Sequence, residues 1–133
     1  TVNKYVDERK DFNKSAFAAS ELLKKICIPQ AYKILCKVGD IEPIGDELWF
    51  KLLVLHIYHA GARNIESLLN QLEQPLQGME LIKWMWSNEY GNFKNSSQNY
   101  SQIAIAAMLT LKDIVLSDCE YIFDCNGYNP IEN

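Results

Sequence analysis

Apolar positions along this chain recur at helical spacing, and no segment sustains the period-two alternation of a half-buried strand. Ala16, Phe17, Ala19, Leu23, Ile26 and Cys27 form one apolar stripe. They predict a helix from Asn13 to Cys27, with Asp11 or Asn13 able to cap it. Pro29 either ends this helix or begins the next. Ile34, Leu35 and Val38 share one side of a short segment, Gln30 to Val38, which Gly39 stops. Residues 39–46 hold two Gly and one Pro and read as a loop.

The segment Asp46 to Ala60 is the most hydrophobic. Leu48, Trp49, Phe50, Leu52, Leu53, Val54, Leu55 and Ile57 leave it little polar face, which predicts a buried central helix. Gly61 is placed to terminate it. Asn64 can cap a short following helix carrying Ile65, Leu68, Leu69 and Leu72, which Pro75 closes. In residues 76–99, LIKWMW reads as a helical turn bearing Trp84 and Trp86, and EYGNFKNSSQN is rich in turn residues. The strongest helical period belongs to Tyr100, Ile103, Ala104, Ala107, Met108, Leu111, Ile114 and Val115, with Ser96 or Ser97 as N-cap. The tail 116–133 has no strong period and reads as irregular. The fold class expected is therefore all-α, with residues 1–133 forming one helical domain around the central apolar helix.

Composition narrows the class without naming a function. A length of 133 residues suits one domain, since domains cluster at roughly 100–150. Hydrophobic residues make up 48% and charged residues 23%, so disorder and fibrous repeats are excluded. No apolar run approaches the roughly 20 residues of a membrane span. A net charge of -4 leaves no basic face to displace phosphate counterions, which argues against nucleic acid as a partner. The sequence starts at Thr1 without Met or an apolar signal core. Either processing removed a leading segment, or the chain begins inside a longer protein.

Three segments, in order, resemble the lytic murein transglycosylases, relatives of goose-type lysozyme. DERKDFNKSAFAASELLKK, residues 7–25, resembles that family's DERRDPxKSTxAAAxYLxxL stretch. YHAGARNIESLL, residues 58–69, resembles its YNAGxGRVxxAI at the end of a buried apolar helix. SSQNYSQIAIAAMLTLKDI, residues 96–114, resembles its ETxxYVPKxLAAxxI helix. The resemblance implies a lysozyme-like helical bundle, a periplasmic or cell-envelope setting, and the peptidoglycan glycan strand as partner. Members of this family cleave the β-1,4 bond from N-acetylmuramic acid to N-acetylglucosamine. One protonated Glu acts first on the glycosidic oxygen and then assists the sugar's own hydroxyl, giving a 1,6-anhydro product. This departs from the usual two-carboxylate scheme, and it needs an apolar site that keeps the acid protonated.

The family's catalytic Glu lies upstream of the DERRD stretch, in a Glu-Ser-x-Phe motif before a GLWQ segment. Nothing before Asp7 can supply it, so no catalytic residue is assigned. Glu66-Ser67-Leu68-Leu69 imitates the motif, but it follows YHAG directly and lacks the segment after it. Glu8 is the one other candidate for a relocated acid, and its charged run, Asp7 to Asp11, offers no desolvation to raise its pKa. Further departures are His59 for the Asn of YNAG, Ala62 for a Pro, Ser96–Ser97 for Glu-Thr, and segment 28–46 as an insertion. The chain thus reads as a diverged C-terminal half that cleaves glycan only with an upstream acid. The alternative is a non-catalytic glycan-binding or protein-interaction domain. Such a half should expose apolar surface for a missing N-terminal half or a dimer partner.

The substrate-binding residues implied by the resemblance are Tyr58, His59, Ala60, Gly61 and Tyr100. The two tyrosines would line the groove, each ring giving a sugar a flat apolar face, or they are core residues with satisfied hydroxyls. His59 would keep the local hydrogen bonding of the Asn it replaces. Gly61 is a helix C-cap that also permits close backbone approach. Trp84, Trp86, Tyr90 and Phe93 are either a sugar-stacking platform or core plus one exposed ring. No cofactor and no metal site are expected. His56 and His59 lack further ligands, and Cys27, Cys36, Cys119 and Cys125 show no CxxC spacing. Cys119–Cys125 could staple the tail, but the three connectivities of four cysteines, and buried free thiols, all remain open.

Overall fold

The structure, a computed structural model, describes residues 10–39 and 47–122, with side chains as far as Leu111. The charged run Asp7–Arg9, the loop 40–46 and the side chains of Cys119 and Cys125 lie outside the described residues. The described backbone is all-α: α1 (Phe12–Leu22), a π segment (Leu23–Cys27), α2 (Ile28–Gly39), α3 (Leu48–Ala60), α4 (Ala62–Leu69), α5 (Gly78–Ser87) and α6 (Tyr100–Ile122). No strand occurs among the described residues beyond one isolated antiparallel bridge, Tyr90 to Phe93. The described residues fall into two compact units, one up to Ser101 and one from Gln102 onward.

In the first unit Asp11 caps α1 through its carboxylate, which accepts from the Lys14 N–H at 3.1 Å. The helix does not stop at Pro29. It continues to Gly39, because the backbone widens into the π segment just before the proline. There the Ile28 N–H reaches the Leu23 carbonyl, five residues back. Pro29 has no N–H to lose, and its ring would collide with the Lys25 carbonyl in a regular turn; a π turn moves that carbonyl away.

The core is built on α3, where Trp49, Phe50, Leu52, Leu53, Val54, His56 and Ile57 are buried. It packs against the π segment, α2, α4 and α5. Ala31, Ile34 and Leu35 of α2, Ile65, Leu68 and Leu69 of α4, and Leu81, Ile82 and Met85 of α5 complete the core. Each large aliphatic side chain buried in this way contributes about 1.5–3 kcal/mol. An ion pair from Lys37 Nζ to Glu66 Oε1, 2.6 Å long, ties α2 to α4 at the surface.

Gly61 ends α3 as expected, its N–H donating to the Ile57 carbonyl at 2.8 Å. Its φ of 86° and ψ of 144° are open almost only to glycine. Asn64 plays a different part from the expected N-cap. From inside α4 its Nδ2 donates back to the Ala60 carbonyl at 2.7 Å, satisfying an orphan acceptor at the end of α3. Gly61 itself occupies the N-cap position of α4.

The second unit carries most of α6, which runs as a helix to Ile122, well into the tail that lacks an apolar period. Backbone hydrogen bonds propagate a helix once started, whether or not its side chains keep a stripe. Among the described residues no helix is long and apolar enough to cross a membrane.

Candidate functional site

The C-terminal end of α3 and the first turn of α6 meet within the first unit. His56, fully buried, sits one turn before the helix end. Its Nδ1 lies 3.2 Å from the Ser97 carbonyl oxygen and its Nε2 2.7 Å from Ser101 Oγ. A carbonyl only accepts, so Nδ1 carries the proton and Nε2 accepts from the Ser101 hydroxyl. Trp86 Nε1–H then donates to Ser101 Oγ at 2.7 Å. The chain of bonds runs Trp86 to Ser101 to His56 to the Ser97 carbonyl, and every group in it is satisfied. Phe93 covers the imidazole, ring centroids 5.5 Å apart. Burial lowers the His56 pKa from 6.5 to about 4, with a further lowering from nearby His59, against a raising by the Ser97 hydrogen bond.

A serine hydroxyl donating to a histidine is the geometry of an activated nucleophile. Here Ser101 is fully buried, its oxygen already accepts from Trp86, and the second imidazole nitrogen meets a carbonyl instead of a carboxylate. The arrangement holds the first turn of α6 to α3 and gives a substrate no approach.

One helical turn further on lies the group of residues expected to line a groove. His59 and Tyr100 stack face to face, with centroids 4.1 Å apart and planes 5° from parallel. His59 is exposed and Tyr100 half-buried. Tyr58, next along α3, is 39% exposed. Gly61 is exposed, and a Cβ built on it meets nothing within 4 Å, so the backbone there faces open space. Ala60 is half-buried, with its carbonyl occupied by Asn64. The structure thus pairs His59 with Tyr100 and leaves Tyr58 and Gly61 open to solvent beside the helix end.

The aromatic cluster of residues 84–93 disperses. Phe93 is buried against His56, Trp86 is half-buried in the hydrogen-bonded chain, and Tyr90 is exposed. Trp84 lines a separate cleft of about 280 Å³ after the end of α4, together with Leu68, Leu72, Leu76, Glu73 and Glu89. Amides of Gln71, Gln74 and Asn88 complete its wall.

Glu66, the residue that imitates the catalytic motif, is bonded to Lys37, and that contact lowers its carboxyl pKa. This is the reverse of what a general acid needs. Among the described residues no group of three or more His, Cys, Asp or Glu is arranged to hold a metal ion. Cys27 is buried and free, its thiol pushed up by burial, and Cys36 is exposed and free. Sequence reasoning missed the role of His56, Ser97 and Ser101. The partners lie 41 and 45 residues from the histidine, beyond any local pattern. No protein-family model matches the chain, and neither a curated protein nor a solved structure matches it.

Proposed function

We propose that this chain is a glycan-binding helical domain of lytic-transglycosylase type, lysozyme-like in its fold and acting on peptidoglycan in the cell envelope. It supplies one wall of the groove, with Tyr58, His59, Gly61 and Tyr100 as the contact surface and Ala60 as its backbone support. The observation that carries this reading is the His59–Tyr100 stack, set beside the open Gly61 turn at the end of the buried helix. A preformed pair of parallel rings next to unobstructed backbone suits the flat face of an N-acetylated sugar. The three ordered sequence motifs support the same reading. Binding without cleavage is favoured by the low carboxyl pKa of Glu66 and by the described core, whose only polar residues are His56 and Ser101.

The test is calorimetric titration of the folded chain with N-acetylglucosamine oligomers and with purified muropeptides. Saturable binding that Tyr100→Ala weakens at least about tenfold supports the proposal. Absence of binding to either ligand refutes it. A parallel peptidoglycan digest is expected to yield no 1,6-anhydromuropeptides, and their appearance would show a catalytic acid within this chain.

A second reading, a protein-interaction domain, is favoured by one specific observation. No side chain of α1 is buried, and Phe12 and Phe17 are 83% and 67% exposed. The two rings stand about 140° apart round the helix, so each offers its own apolar contact to a partner. Concentration-dependent dimerisation in light scattering, abolished by Phe17→Ser, would support this reading.

A further inference from the structure

We propose that the cleft following α4 binds an organic cation, a primary ammonium or guanidinium carried on an aliphatic stem. The site is distinct in residues from the His59–Tyr100 surface, and the proposal does not depend on the glycan reading.

Three features of the cleft point to this ligand. Leu72 and Leu76, both half-buried, give it a small apolar side suited to methylene groups, which long cationic side chains bury while keeping their heads solvated. Trp84 is the aromatic residue in the lining. Indole is the ring that attracts a cation most strongly, and this one is half-buried, with no hydrogen bond from its N–H to any described residue. Glu73 and Glu89 both line the same cleft, and neither forms an ion pair with a cation among the described residues. A bound cation meets two carboxylates in the one recess, an attraction that a neutral ligand lacks. The volume, about 280 Å³, suits a group of side-chain size.

The neighbouring geometry is already fixed. Asn88 Nδ2 donates to the Trp84 carbonyl at 2.7 Å, and Gln98 Nε2 reaches the Trp86 carbonyl at 2.8 Å. These bonds fix the backbone at the end of α5, on which Trp84 stands and after which Glu89 follows. On the other side Gln71 Nε2 donates to the Ser67 carbonyl at 3.4 Å, and the Gln71 and Leu72 N–H groups donate to the Leu68 and Leu69 carbonyls, carrying the last turn of α4 on toward Glu73.

The experiment is a nuclear magnetic resonance titration of the full chain, following the indole N–H signal of Trp84, assigned through Trp84→Phe. The probes are Nα-acetyl-lysine N-methylamide, its neutral Nε-acetylated analogue, and an N-acetylglucosamine trimer. The expected result is a saturable shift with the lysine derivative, at least about tenfold weaker binding in the Glu73→Gln, Glu89→Gln double variant, and weakening by salt. Both glutamates are exposed, so the variant should keep the wild-type circular dichroism spectrum. No saturable shift with the lysine derivative, an equal shift with its neutral analogue, or a shift with the trimer alone would each overturn the proposal.

Discussion

His56 shows how one buried polar residue can be stable and still make the protein sensitive to acid. Both ring nitrogens are bonded, so the neutral imidazole is satisfied in the core. Its pKa in the folded chain is about 4, against 6.5 in an unfolded one. The unfolded state therefore takes up a proton first as pH falls. Stability is fully present above pH 6.5 and is lost progressively toward pH 4, by about 3 kcal/mol from this group alone. Glu66, whose carboxyl pKa is lowered by Lys37, acts with the same sign at lower pH. We expect the urea midpoint to fall between about pH 7 and pH 4.5, and His56→Gln to flatten that dependence. An unchanged midpoint across this range would mean that His56 is accessible to protons in the folded state.

At the scale of elements, the joint between α3 and α4 is held by Gly61 and by Asn64, whose amide bonds the Ala60 carbonyl. Gly61 supplies a backbone conformation that a side chain would strain, although space for a Cβ is free. Gly61→Ala should therefore lower stability by about 1–3 kcal/mol through strain and not through a clash. A crystal structure of the variant should show a rotated Gly61 peptide or a shortened α3. The central helix offers the contrasting case. Leu53 is fully buried, and Leu53→Ala should cost about 2–5 kcal/mol through the cavity it leaves. Chemical denaturation measures both losses. If Leu53→Ala costs less than Gly61→Ala, then α3 is not the centre of the core.

For the whole molecule, stability and association should separate along the chain. The buried side chains of the first unit lie in α2 through α5, together with Cys27, Phe93 and Ser101, while α1 buries none. A joint Phe12→Ser, Phe17→Ser variant should leave the thermal midpoint nearly unchanged, since exposed substitutions usually stay within about 0.5 kcal/mol. The same variant should raise solubility and reduce self-association in light scattering. A large fall in the thermal midpoint would instead place those rings within the folded core.

Much of this architecture was legible in the sequence because its causes are local. The apolar run from Leu48 to Ile57 dictates a buried helix, Gly61 dictates its end, and the period from Tyr100 dictates α6. The stack of His59 on Tyr100 joins residues on two different helices, and no spacing rule could have paired the two rings. Of the two readings of Pro29, the structure takes the second: it stands in the first turn of α2, and a widened turn just before it joins that helix to α1 without a break. Asn64 could have capped either helix end, and the turn geometry at Gly61 directed its amide backward. The sequence by itself determined where the main helices lie and which one is central, since backbone propensity and burial period act over a few residues, but not that α6 runs on to Ile122. Only the tertiary structure decided that Trp86, Ser101, His56 and Ser97 form one hydrogen-bonded chain, and that Trp84 leaves the aromatic cluster for a cleft with Glu73 and Glu89. Those groupings join residues far apart in the chain, and only packing chooses among the possible partners.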